Sequence, residues 1–488
     1  MNFVIILMQT TLKEGIYMKI TFWGAAQTVT GSCHILEAGG LTLLIDCGLH
    51  QGNHTEELMN AEDFPINPAN IDYLLLTHAH IDHSGRIPFL VKKGFKGKIL
   101  TTGAACDLCS IMLPDSGHIQ ETEAEWKNKK NLRKGMNIIE PLYTYQDALD
   151  SLMFFRAIEY DEVIDLNSSV KVRFVDAGHM LGSSFIEIWE NLDGKQSKIL
   201  FSGDVGNKGA PLLKDPSVIE EADFVVIEST YGNRLHPDRH QDMNLMVNTI
   251  LETTRRGGNV VIPSFAVGRT QEMIYYFNQN RDTHHQNIKA LSKIPVFIDS
   301  PLATSATSVF RNHLECFDEE ARLYIENGDN PLDFEGLKFS VSKEDSMALN
   351  EILSGAIIIS PSGMCEAGRI KHHLKYNLWR PECTIIFVGF QAENSLGRKI
   401  LNGEKVVKIF GEEIVVKAQI VSLEGFSGHA DKTGLIDLLN GIKSKPKKVF
   451  IVHGEPKVSK EFAYTLHEGY ELDCVIPYPL QRFNLDEM

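Results

Sequence analysis

Thr77-His78-Ala79-His80-Ile81-Asp82-His83-Ser84-Gly85 follows the apolar run Tyr73–Leu76, so three histidines and an aspartate fall within six positions on one turn at the end of an expected strand. Imidazole nitrogen and carboxylate oxygen together suit zinc, iron or manganese. With 18 histidines in 488 residues, HxHxDH arises by chance in on the order of one chain in a thousand. A polar turn capping a helix from Ser84 is the bland alternative, and that frequency sets it aside. The motif reads as the core of a metal site.

A site for two metals needs further ligands, one of them an oxygen able to bridge. His179 lies in Asp176-Ala177-Gly178-His179-Met180-Leu181-Gly182-Ser183, and Asp204 in Phe201-Ser202-Gly203-Asp204-Val205-Gly206. Each follows an expected strand and stands beside glycine, so the backbone can pack closely while the ligand projects. Alone, either would be a solvated turn residue; at strand ends in the same unit as the HxHxDH turn, both read as ligands. Asp46 closes the run Leu41–Ile45, where a turn-forming role before Gly48 competes with a role in the site.

Working outward, the first half alternates short β-rich runs with turns. Strands are expected at Ile20–Trp23, His34–Glu37, Leu41–Ile45, Tyr73–Thr77, Lys98–Thr101, Val170–Asp176, Phe185–Trp189, Ile199–Ser202 and Phe224–Ile227. Ser84–Lys93 and Ala104–Leu113 have the apolar spacing of helices. After Tyr231 the texture becomes βαβ-like, with a long amphipathic helix over His236–Arg256 and then Asn259–Pro263, Thr270–Asn278, Val296–Ile298, Ala303–Cys316, Ala356–Ser360 and Thr384–Val388 as alternating strands and helices. Hairpin-like texture returns over Lys405–Leu423, before a helix at Lys432–Lys443 and a strand at Lys448–Val452. An α/β fold is expected, with a second unit over residues 232–400 inserted into a first that occupies 18–231 and resumes over 401–488. Residues 1–17 read as an arm or an upstream start.

Composition bounds the rest. Hydrophobic residues are 43% and charged residues 23%, as in ordinary globular proteins. Lys+Arg total 48 against Asp+Glu 64, a net charge of -16. That balance is the wrong sign for coating nucleic acid nonspecifically, although a local basic groove remains compatible with it. Met1–Met8 lacks the basic start and cleavage site of a signal peptide, and no run approaches membrane length. Eight scattered cysteines fit a reducing compartment, so a cytoplasmic protein without membrane contact is expected. Cys106 and Cys109 form a lone CxxC and read as packed helix residues rather than half a zinc ribbon.

The set Asp46, His78–His83, His179 and Asp204 resembles the successive signature motifs of the metallo-β-lactamase superfamily. The resemblance implies an αββα sandwich in which His78, His80 and His179 hold one metal, Asp82 and His83 the second, and Asp204 bridges both. Asp46 would orient ligands from behind.

Three later motifs narrow the resemblance. Val226-Ile227-Glu228-Ser229-Thr230-Tyr231, Gly425-Phe426-Ser427-Gly428-His429-Ala430-Asp431 and Phe450-Ile451-Val452-His453-Gly454-Glu455 resemble motifs A, B and C of the β-CASP family, RNA-processing branch. Pro263–Arg269 and Ser360–Met364 are similar to that family's turns. The resemblance implies a ribonuclease acting endo- or exonucleolytically on single-stranded RNA with two zinc ions, manganese being the alternative. His453 would complete the second metal. Asp82, Glu228 and His429 are the candidate catalytic residues, His429 as general acid oriented by Glu228. Elementary chemistry agrees: two metals would activate a bridging water and neutralise phosphoryl oxygens, but the departing ribose oxygen needs a proton.

Ser427-Gly428 and Ser362-Gly363 are candidate phosphate cradles before expected helices. Arg269, Arg369 and Arg398 are candidate cleft residues, for which a structural ion pair competes evenly. Lys127–Lys134 and Lys443–Lys448 read as solvated faces. Nothing resembles a KH-type extension before Met18 or the dimerising C-terminal domain of RNase J, so mode of cutting and assembly, a homodimer included, stay open. Two other readings are a thioester or lactone hydrolase, which would lack the insertion and His429, and a non-catalytic RNA-processing scaffold, which would have lost ligands.

Overall fold

Alternating buried and half-exposed residues in Lys19–Phe22, and nearly continuous burial in Phe224–Glu228 and Lys448–Val452, mark strands covered on one face or on both. In the computed structural model these build two seven-stranded sheets. The structure describes residues 18–52, 54–279, 291–389, 391 and 394–488. The expectation for residues 1–17 lies outside them.

The first sheet runs Gln481–Asn484, Lys19–Phe22, His34–Ala38, Leu41–Ile45, Tyr73–Leu75, Lys98–Thr102, Phe155–Ile158. The second runs Cys474–Val475, Lys448–Val452, Phe224–Glu228, Lys195–Phe201, Ser184–Leu192, Val170–Asp176, Val163–Asp165. Between them lies one apolar cluster, with Ile20, Phe22, Leu43, Ile45 and Leu75 from the first sheet against Phe174, Ile188, Phe201, Val226 and Phe450 from the second. Helices Lys432–Asn440 and Pro456–Tyr470 cover the outer face of the second sheet through Leu435, Leu439, Phe462 and Leu466. Ile87–Lys92 and Gly103–Arg133 pack on the first through Leu90, Leu108 and Leu113. The result is an αββα sandwich. Both sheets need the C-terminal segment, because Lys448–Val452 pairs parallel with Phe224–Glu228 and Gln481–Asn484 pairs antiparallel with Lys19–Phe22.

The intervening chain forms a separate six-stranded sheet, parallel throughout: Leu337–Phe339, Val296–Ile298, Ile357–Ser360, Val260–Pro263, Thr384–Phe387, Gln419–Ser422. Its last strand lies beyond residue 400, so the boundary drawn there cuts the inserted sheet short. Thr384–Phe387 would otherwise be an exposed edge, and Gln419–Ser422 pairs with all four of its residues. Two expected helices also differ in extent. Ser84–Lys93 is two short helices, Ile81–Ser84 and Ile87–Lys92, while the helix expected at Ala104–Leu113 runs over Gly103–Arg133, with Pro114 inside it.

Candidate metal centre

Strand direction gathers the candidate ligands. Leu41–Ile45 and Tyr73–Leu75 are parallel, and so are Lys195–Phe201, Phe224–Glu228 and Lys448–Val452. Asp46, His78, Asp204, Glu228 and His453 therefore emerge at carboxyl ends of strands, along one edge of the sandwich. The HxHxDH turn is pinned there by backbone: Ser32 N–H donates to Asp82 O at 2.8 Å and Cys47 N–H to His83 O at 2.7 Å. Gly48 is required for this approach, since a Cβ on it would stand 1.6 Å from the Asp82 carbonyl oxygen.

Two groups of ligand-type atoms meet on the two oxygens of Asp204. On one side His80 Nδ1 lies 3.2 Å from both His78 Nε2 and His179 Nε2, and the last two lie 3.4 Å from Asp204 Oδ2. On the other, His83 Nε2 and His453 Nε2 are 3.2 Å apart and stand 3.2 and 3.6 Å from Asp204 Oδ1, with Asp82 Oδ2 3.5 Å from His453 Nε2. Atoms bound at about 2.0–2.1 Å around one tetrahedral centre lie about 3.3–3.4 Å apart. The spacing within each group matches that edge length.

Every ring except that of His80 has a contact on its other nitrogen that fixes which nitrogen faces inward. His83 Nδ1 lies 2.7 Å from Asp46 Oδ2, His453 Nδ1 3.1 Å from Thr230 Oγ1, His179 Nδ1 3.2 Å from Gly428 O and His78 Nδ1 3.0 Å from Thr77 Oγ1. Asp46 in turn accepts from Thr77 N–H at 2.8 Å and Thr77 Oγ1 at 2.9 Å. Thr230 is not among the residues chosen from sequence, and Gly428 was chosen as a phosphate cradle rather than for its carbonyl, since a hydroxyl and a backbone oxygen carry no ligand signature.

The electrostatics call for a cation. Burial pushes His78 down to about 3 and His80 to about 4, leaving them as the neutral imidazoles that ligate. Burial also favours the protonated acid at Asp204, but His453, His83, His429 and His78 outweigh it and hold that carboxyl well below its usual range. Burial opposes a proton on His83, yet Asp204 and Asp46 overcome it and raise His83 well above its usual value. Asp204 Oδ1 is buried and accepts no hydrogen bond from any described residue. A buried carboxylate with an unsatisfied oxygen, held ionised among histidines of which His78 and His80 are neutral, fits a cation at Asp204.

Beside this centre, His429 Nδ1 lies 3.1 and 3.2 Å from the two oxygens of Glu228 and 3.8 Å from Asp204 Oδ2. Glu228 is fully buried and fixed by Val205 N–H at 2.7 Å and Thr230 N–H at 3.3 Å. Burial alone would lower His429, but Glu228 and Asp204 dominate and raise it to about 9.

Three family models match the chain: the metallo-beta-lactamase superfamily over residues 27–109, the Beta-Casp domain over 270–400, and the Zn-dependent metallo-hydrolase RNA specificity domain over 413–477. A ribonuclease from Thermus thermophilus is 36% identical over 438 residues, 90% of this chain and 93% of its own. The chain belongs to the β-CASP family of metallo-hydrolases. An RNase J-like protein from Methanocaldococcus jannaschii is 31% identical over 462 residues, 94% of this β-CASP chain and 97% of its own. Transcription termination factor FttA from the same organism is 29% identical over 483 residues, 96% and 72% of the two chains. A crystal structure of a protein of unknown function from Enterococcus faecalis V583 superposes with a TM-score of 0.51 at 12% identity, covering 96% and 99%, and shares the fold.

The remaining candidates of this β-CASP protein divide. A Cβ on Gly428 would stand 3.4 Å from His179 Cε1 and 3.6 Å from Arg269 Nη2, so the buried guanidinium, paired with Glu272, lies beside His179. Ser427 Oγ accepts from His429 N–H at 3.3 Å, and Ser362 Oγ from Glu366 N–H at 3.2 Å. Arg369 instead donates to Asp299 Oδ1 at 2.8 Å and to the carbonyls of Ser340 and Val341, while Arg398 donates to Gln391 O at 2.8 Å. Both are engaged with the inserted unit itself. Cys106 and Cys109 lie on Gly103–Arg133, all eight cysteines are free, and among the described residues no helix is long and apolar enough to cross a membrane.

Proposed function

We propose that the chain hydrolyses phosphodiester bonds in single-stranded RNA, as an endo- or exonuclease, with two zinc ions or manganese in their place. His78, His80 and His179 would hold one ion and Asp82, His83 and His453 the other, with Asp204 available to both. When bound, the ions supply electrophilic charge to the phosphoryl oxygens and acidify water at neutral pH. One observation carries the reading: a proton donor, His429 held by Glu228, stands against the same carboxylate on which both ligand groups converge.

The chain's own residues supply the rest. Glu228 is immobilised by two backbone N–H groups and accepts from His429 Nδ1–H. That fixes the ring so that Nε2–H is the proton offered to the departing ribose oxygen. A value raised to about 9 keeps this proton in place at neutral pH. The Arg269 guanidinium, paired with Glu272, stands beside the site, and the Ser362-Gly363 turn at the carboxyl end of Ile357–Ser360 is the candidate phosphate cradle of the inserted sheet. The free cysteines and the composition support a cytoplasmic setting.

The test is salt dependence. RNA binding should weaken with a slope of log K against log salt near −0.7 per phosphate neutralised, and 5′- and 3′-labelled RNA should give product ladders that separate endo- from exonucleolytic cutting. Salt-independent turnover of a small ester, with no RNA cleavage under zinc or manganese, overturns the reading.

A further inference from the structure

Phe265 is an aromatic ring exposed where the fold gives it nothing to cover. It lies in Pro263–Arg269, the turn at the carboxyl end of Val260–Pro263 in the parallel sheet, and is 43% exposed. Its backbone is tied down: Thr270 Oγ1 donates to Phe265 O at 2.6 Å, Ser264 N–H to Ser360 O at 3.2 Å, and Gln271 Nε2 to Ala266 O at 3.2 Å. The turn is not a mobile tip that happens to carry a phenylalanine.

The ring has a floor. A Cβ on Gly363 would stand 3.0 Å from Phe265 Cε2 and 3.1 Å from Cδ2, and one on Gly389 would stand 4.0 Å from Cε2. Gln391 Nε2 donates to both carbonyls, at 2.9 Å to Gly363 O and 3.3 Å to Gly389 O, and so draws the two glycine backbones together. Any side chain at 363 would crowd the ring. Two glycines and a glutamine thus hold one side of an aromatic ring, while much of its surface stays open.

The location relates this ring to the catalytic edge. In open parallel sheets, ligands bind outside the carboxyl ends of the strands, and here those ends carry Pro263–Arg269, Ser362-Gly363 and the Gly425–His429 turn. Arg269, at the end of the Phe265 turn, lies beside the Gly428 and His179 positions. Four residues span at most about 14 Å, so Phe265 stands no farther than that, Cα to Cα, from the arginine beside the histidine ligands. Single-stranded nucleic acid is gripped by stacking bases on exposed rings next to positive charge that follows the backbone. We propose that Phe265 is a nucleobase-stacking platform: it binds one base of the RNA strand near the scissile phosphate, on the glycine floor of Gly363 and Gly389. This rests on the ribonuclease reading, which assigns phosphates to the site but no base to any residue.

The experiment measures KM and kcat for a short single-stranded oligoribonucleotide, and its Kd by fluorescence anisotropy, with wild type, Phe265→Ala and Phe265→Tyr. The oligonucleotide is also made with one abasic position at a time. Phe265→Ala should weaken binding and raise KM about 5- to 150-fold, with kcat and metal content little changed, and Phe265→Tyr should restore wild-type values. One abasic position should cost wild type the same factor and Phe265→Ala nothing more. Wild-type affinity in Phe265→Ala, or losses that multiply at every abasic position, overturns the platform. If wild type binds RNA without cutting it, the ribonuclease reading fails and the platform is still judged on Kd; if it does not bind RNA, both fail.

Discussion

Asp46→Asn separates the two metal positions with minimal disturbance of the fold. Asp46 sits at φ +59°, a left-handed conformation that asparagine tolerates better than most residues. Asn Oδ1 can still accept from Thr77 N–H, as Asp46 Oδ1 does at 2.8 Å. What changes is the other position, where an NH2 group replaces the oxygen that lies 2.7 Å from His83 Nδ1. Two donors then face each other unless His83 moves its proton to Nε2, the nitrogen aimed at Asp204 Oδ1 from 3.2 Å. A protonated Nε2 cannot ligate. Loss of such an outer contact costs 10- to 100-fold in metal affinity, or about 1.4–2.8 kcal/mol, and the wrong tautomer puts this case at the upper end. Zinc titration against a competing chelator should show the position of His83 weakened by that amount and the position of His78, His80 and His179 weakened less, because only the Thr77 hydroxyl, which donates to the same Asp46 oxygen and lies 3.0 Å from His78 Nδ1, carries the change there. Equal weakening of both, or of neither, refutes the assignment of Asp46 to His83 and of His83 to the second ion.

Asp204→Ala removes the carboxylate that both ligand groups share, so elemental analysis should find one metal or fewer per chain and cleavage should cease; two tightly held metals in an active variant would sink the bridged pair. His429→Ala should keep its metal and lose about 10²- to 10⁴-fold in rate, whereas His453→Ala should weaken the second ion; the reverse pattern means that the two roles are exchanged. Burial raises Asp176 to about 7 against the Gly178 N–H bond that favours its ionised form. Because the folded value is raised, the folded chain keeps a proton that the unfolded chain has released, so this group's stabilisation is present below about pH 4 and lost as pH rises through 7. A shift of about 3 units is worth at most about 4 kcal/mol, and Asp176→Asn should raise Tm at pH 8 well beyond its effect at pH 5; equal shifts at both pH values contradict it.

The candidate ligands were legible because each is announced locally. His78, His179, Asp204 and His453 all follow apolar runs, and a ligand type at a strand end is a pattern within ten residues of sequence. What supports them was not. Thr230 and the Gly428 carbonyl meet His453 and His179 across 223 and 249 residues, and only the register of distant strands creates those contacts. The texture of Lys405–Leu423 identified strands but not their sheet, so Gln419–Ser422 was assigned to the sandwich although it extends the inserted sheet. Helix Gly103–Arg133 continues past Pro114, a residue that normally interrupts a helix. Just past that proline the helix is still packed: Ser116 meets Tyr143 Oη at 2.8 Å, and Tyr145 N–H donates to Glu121 Oε2 at 3.2 Å. Tertiary packing outweighed the local signal there. Arg369 and Arg398 look like Arg269 in sequence, and only partners 70 and 7 residues away, Asp299 and Gln391, distinguish them.

The insertion is also what completes the candidate active site. Glu228 precedes the inserted sheet and His429 follows it, 201 residues later, yet the two side chains meet at 3.1 Å. The turn bearing His429 leaves the carboxyl end of Gln419–Ser422, the last strand of the inserted sheet, and is then fastened to the sandwich. Ala430 N–H donates to Val205 O at 2.7 Å, and Asn207 Nδ2 donates to Ser427 O at 2.8 Å and His429 O at 2.6 Å. His179, a candidate ligand in the sandwich, contacts the carbonyl of Gly428 in the same turn. The candidate proton donor is therefore positioned by both units at once, and His179, a candidate ligand, is oriented by a peptide group delivered by the second unit. The sandwich, its strand Lys448–Val452 included, carries all seven candidate ligand side chains, whereas the turn with His429 and the Gly428 carbonyl joins the two units. The motif that carries His429 and the motifs that carry the candidate ligands therefore meet only in the complete fold, which is why they must be read together to assign either.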